Sequence, residues 1–96
     1  MDRPFVRIEW ADAHAHDEDS WVYLSNVPDR GEYLVSSIGH LLALGDGGQT
    51  GHVSIAQSIG VRDDAGDHII HIPVGMVRNL WVLKGRPITL EKLLDL

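Results

Sequence analysis

The sequence is 96 residues long, 44% hydrophobic and 23% charged, with no cysteine and a formal charge of −6. A chain of this length builds one modest core, and the missing cysteines exclude a disulfide framework, a thiolate metal site and a cysteine nucleophile. Its 14 acidic against 8 basic residues argue against duplex DNA binding, where phosphate neutralisation supplies most of the affinity. No apolar run approaches the roughly 20 residues of a membrane-spanning helix, and Met1-Asp2-Arg3-Pro4 opens no signal-peptide apolar stretch. The expectation is a cytoplasmic protein.

In chain order, Pro4 to Trp10 alternates Phe5, Arg7 and Glu9 with Val6, Ile8 and Trp10, which predicts a half-buried strand. Ala11 to Ser20 has no large apolar residue and reads as an acidic surface loop. Trp21 to Leu24 is a short apolar patch, strand or helical turn, closed by Pro28-Asp29-Arg30-Gly31. Tyr33 to Leu44 predicts a long second strand, with Gly39 marking a bend where it turns a corner. Gly45 to Gly51 is a glycine-rich loop before a strand over Val53 to Ile59. Asp63-Asp64-Ala65-Gly66 is the next turn, His68 to Ile72 the fourth strand, and Pro73 ends its ladder by removing a donor. A tight turn at Pro73 to Met76 leads into a last strand, Val77 to Leu83. After Lys84-Gly85-Arg86-Pro87, Thr89 caps a short helix with Leu90, Leu93 and Leu94 on one face. A helix this short is marginal alone, so its leucines are expected to dock on the barrel or on a neighbouring subunit.

Five short strands and one small helix cannot cover the face of an open sheet. The expected fold is therefore mainly β, a small five-stranded antiparallel barrel over residues 1–84 with a helical tail over 85–96. Ile72-Pro73-Val74-Gly75-Met76-Val77-Arg78-Asn79-Leu80 resembles the end of Sm-like and Src-homology-3-like barrels. Over residues 6 to 83, Val6-Arg7-Ile8-Glu9-Trp10 with Asp12, Trp21, Val35-Ser36-Ser37-Ile38-Gly39 with Leu41, Ile55-Ala56-Gln57-Ser58 and Ile72 to Val77 resemble a family of short uncharacterised tailed-phage and prophage proteins. That family carries no assigned chemistry, so the resemblance implies an origin and transfers no functional residue.

Among candidate sites, Asp12, His14 and His16 share one parity of an extended segment and form a possible divalent-metal cluster. The string is similar to the opening of amidohydrolase barrels, folds several times this length, whose further ligands lie on strands that this chain lacks. That shortfall rejects the amidohydrolase reading of the string; a metal-dependent hydrolase using Asp12, His14 and His16 is the alternative function, and no cofactor is the leading expectation. His40 and His52 flank the glycine loop and are candidates to face each other across a hairpin. Ser36, Ser37, Ser54 and Ser58 have no evident His or Asp partner, and no nucleophile motif is present. Trp10, Trp21 and Trp81 exceed what a small core accommodates, so at least one is expected in an interface, together with Leu90, Leu93 and Leu94. Arg78 and Arg86 lie in a basic carboxyl-terminal stretch and are candidate anion ligands. The expected function is a phage-type, non-enzymatic binding protein that forms a homo-oligomer and recognises a host protein or a small anionic ligand such as a nucleotide-derived signal. Single-stranded RNA binding by an Sm-like ring is a further alternative.

Overall fold

The structure is a computed structural model, and it describes residues 2–13, 21–27, 29 and 31–95. Five strands, β1 (Phe5–Asp12), β2 (Tyr33–Leu42), β3 (His52–Ile59), β4 (Gly66–Pro73) and β5 (Val77–Leu83), precede one short helix, α1 (Leu90–Leu94). They form one antiparallel sheet in the order β4-β3-β2-β1-β5. The mainly β class, the five strands and the terminal helix agree with the sequence reading. The sheet is open rather than closed, since β4 and β5 are its two outer members.

It is nonetheless strongly coiled. In a flat sheet β4 and β5 would lie about 19 Å apart across four gaps. They are joined by one 3-10 turn, Val74–Met76, which advances only about 2 Å per residue. The coiling starts in β2, which pairs with β1 as far as His40 and with β3 from His40 onward. Gly39 sits beside this change of partner. A Cβ there would stand 2.8 Å from the carbonyl oxygen of Ala56 and 3.1 Å from the Ile55 side chain, so only glycine permits the approach of β2 to β3.

The inner face carries the core. Val6 and Ile8 of β1, Ile55 of β3 and Ile72 of β4 form one buried cluster, against which Trp10, Leu41, Val53, Ile70 and Val77 pack. The Trp10 indole N–H, brought into this face, donates to Ser37 Oγ at 3.0 Å. Leu80 and Val82 of β5 stand opposite Ile8 and Val6 and so belong to the same face, yet they are 47% and 64% exposed. The core is unfinished on that side. Total accessible surface is 7933 Å², against about 5,500 Å² for a compact monomer of 10.6 kDa.

Local departures from the sequence reading have simple causes. β1 runs on to Asp12 because Ala11, small enough to sit close under β2 opposite Leu34, is buried. The patch around Trp21 resolves into a 3-10 turn at Leu24–Asn26. β4 starts earlier, at Gly66, but is kinked at His68, whose φ of 50° takes it out of the ladder between Asp67 and Ile69. α1 is capped as expected, Thr89 Oγ1 accepting from the Lys92 amide at 3.2 Å. Its leucines remain exposed, 69% at Leu90, 48% at Leu93 and 75% at Leu94, so this chain's own sheet does not bury them.

Candidate functional site

The outer face of the sheet holds the polar side chains, and the hairpin loop between β2 and β3 folds over one end of it. The loop is shaped by left-handed glycines at Gly45, Gly47 and Gly51, with φ of 80°, 95° and 72°. Its return places Gln49 so that its amide donates to Ser54 Oγ at 3.1 Å. Ser54 is buried on β3 opposite His71 of β4, and its hydroxyl lies 2.6 Å from His71 Nδ1. The buried Ser54 hydroxyl thus accepts from the Gln49 amide and shares a second hydrogen bond with His71 Nδ1. His52, one pleat away on β3, meets the His71 ring edge-on with centroids 6.4 Å apart, and its Nδ1 is 2.7 Å from the Thr50 carbonyl.

The same loop presents Asp46 to Arg3, which precedes β1. Arg3 Nε and Nη2 donate to the two Asp46 oxygens at 2.7 and 2.8 Å, while Nη1 and Nη2 donate to Asp64 at 2.7 Å each. Four of its five N–H donors are thus committed to two carboxylates. Hydrogen bonding by Arg3 holds both carboxyls below the ordinary aspartate range, against a smaller upward push from desolvation, and the two aspartates hold the guanidinium in its charged form. A cavity of about 300 Å³ lies beside this clamp, with Leu42, Ala56, Ile59 and Ile69 supplying its apolar wall.

No protein-family model matches the sequence, and no curated protein or solved structure does either. Function therefore rests on the chain's own geometry.

Farther along the outer face, Arg7 lies over the Trp81 ring, 4.6 Å from its centroid, and donates to Ser36 Oγ at 3.0 Å. Asn79 donates to Glu9 at 2.9 Å, and Phe5 stacks at a tilt on His40. Arg78 is the extra residue of a bulge, since Glu9 pairs with Asn79 and Trp10 with Val77. Its side chain swings out to bond both Glu32 oxygens and the Gly75 carbonyl. That contact lowers the Glu32 pKa and raises that of Arg78.

The residues singled out in sequence are thus dispersed. Arg78 is committed to Glu32, whereas Arg86 lies exposed in the segment before α1. Trp10 packs on the core, Trp81 is 40% exposed and Trp21 fully so. Asp12 ends β1 opposite Tyr33, and His14 and His16 lie outside the described residues. Among the described residues no three His, Asp or Glu side chains group to hold a metal. His40 and His52 are not brought together, because the register sets His40 opposite Ala56 and His52 opposite Pro73. The Ser54 and His71 contact was missed because serine and histidine 17 positions apart become neighbours only through the β3 and β4 register. The Arg3 clamp likewise joins residues 43 and 61 positions apart. Ser54 is 1% exposed, so its hydroxyl buttresses the loop and the His71 ring rather than facing solvent.

Proposed function

We propose that this chain is a non-enzymatic binding module that self-associates and completes its core only in the assembly, of the kind that the resemblance to short tailed-phage proteins implies, acting in the host cytoplasm. The observation that carries the reading is the unfinished inner face: Leu80 and Val82 lie in line with the buried Ile8 and Val6 yet are half-exposed or more. The exposed leucines of α1 add a second apolar surface. The strand order and the Val74–Met76 connection between the outer strands support an Sm-like or Src-homology-3-like barrel as the underlying scaffold. With the guanidinium groups of Arg3 and Arg78 both matched by carboxylates, a protein surface suits this module better than a small anion, for which Arg86 remains the candidate contact. Light scattering on the full chain tests the reading. A mass of two or more chains at micromolar concentration is expected, and a monomer at every concentration up to the millimolar range would overturn it.

A further inference from the structure

We infer that the outer edge of β5 pairs with the β5 edge of a second copy, giving a two-fold symmetric dimer with one continuous sheet. This rests on the self-association reading and adds to it which surface is used and in what register.

Among the described residues β4 and β5 each have one side without a strand partner, and these two edges are not equivalent. β4 is blunted by devices that keep strands from pairing: a left-handed kink at His68, exposed charge at Asp67, and Pro73, which has no N–H to donate. β5 has none of these from Asn79 to Leu83. That stretch holds no charge and no proline and pairs with β1 without a break, the bulge at Arg78 lying before it and Lys84 after it. Such an edge is a template for another strand.

The sequence of β5 is also complementary to itself. Antiparallel pairing about Trp81 sets Trp81 against its own copy on the outer face and Leu80 against Val82 of the second copy on the inner face. The two half-exposed residues that interrupt the core thereby meet two more of their kind, and the apolar face runs on across the dimer axis. A C2 arrangement of this kind is isologous and closes at two copies, whereas a head-to-tail contact would need the blunted β4 edge.

The test compares three full-length proteins and one truncation by light scattering, with circular dichroism confirming strand content. Wild type is expected to be a dimer, Val82→Lys a monomer with dimerisation weakened about 100-fold or more by the buried charge, and Ile69→Lys on β4 a dimer like wild type. Removal of residues 88–96 should leave the dimer in place. Should Val82→Lys fail to fold, hydrogen exchange on wild type replaces it, with the amides of Leu80 to Leu83 gaining protection as concentration rises. A wild-type monomer overturns both this inference and the reading beneath it. An oligomer that survives Val82→Lys, that dissociates with Ile69→Lys or with the truncation, or whose β5 amides ignore concentration overturns the β5 contact alone.

Discussion

The two outer strands of one sheet are finished in opposite ways. β4 is tied down: Ile72 is 1% exposed, His71 hydrogen-bonds the buried Ser54, and the turn leading into the strand is clamped through Asp64 to Arg3. β5 is held by its ladder to β1 and by surface contacts, the Arg7 stack on Trp81, the Asn79 bond to Glu9 and the Arg78 pair with Glu32. Strand order alone makes both of them edges. What separates them is side-chain chemistry, which closes one edge to further pairing and leaves the other apolar and regular.

The largest expected effect that sharpens this contrast is on the core. Ile72→Ala should lower stability by about 2–5 kcal/mol, as for large-to-small changes at fully buried sites, whereas Leu80→Ala in the monomer removes a half-exposed side chain and should lower it by about 1 kcal/mol. Urea unfolding of each variant measures the difference; equal losses would mean that β5 is as well buried as β4. Next comes Ser54→Ala, which leaves the Gln49 amide without its acceptor and should destabilise by about 1–3 kcal/mol. Restricted protection loss at the Gln49 amide in hydrogen exchange would locate the effect.

The clamp supplies a pH-dependent contribution. Asp46 and Asp64 have folded pKa values below their unfolded ones, so the stability they add is fully present above the unfolded aspartate value of about 3.9. It is lost as the pH falls through their depressed folded values. Melting temperatures recorded downward from neutral pH should therefore fall less for Asp46→Asn than for wild type, and parallel curves would exclude the clamp as the cause. The smallest effect is expected on β5: Arg7→Ala should remove about 0.5–1 kcal/mol of cation–π stabilisation at this exposed site, visible as a shift in Trp81 fluorescence with little change in unfolding midpoint.

Much of the strand plan is legible in the sequence because alternation is local: Val6, Ile8, Ile55, Ile70 and Ile72 declare one face each within a few residues. Gly39 is legible as a corner for the same reason, although its cause, the closeness of Ala56, belongs to another strand. The polar face is not legible. Arg3 has no neighbour in sequence that marks it as the partner of Asp46 and Asp64, and His71 reads as an outward-facing strand residue until register sets it against Ser54. Single-residue register decides such contacts, and nothing local specifies the length of the Ala43 to Gly51 excursion. The unfinished inner face escaped notice because Leu80 and Val82 have the pattern of core residues; only the open edge exposes them.

The place of β1 in the sheet bears on the order in which the molecule is made. It lies between β2 and β5, so one flank is satisfied by the next strand in the chain and the other by the last one, some 70 residues later. During synthesis the amino-terminal strands emerge with Val6 and Ile8 already aligned on one side, and wait for the carboxyl-terminal strand before β1 ceases to be an edge itself. Until β5 is in place β1 has one flank unpaired, so the face that carries Val6 and Ile8 is the last part of the sheet to be completed.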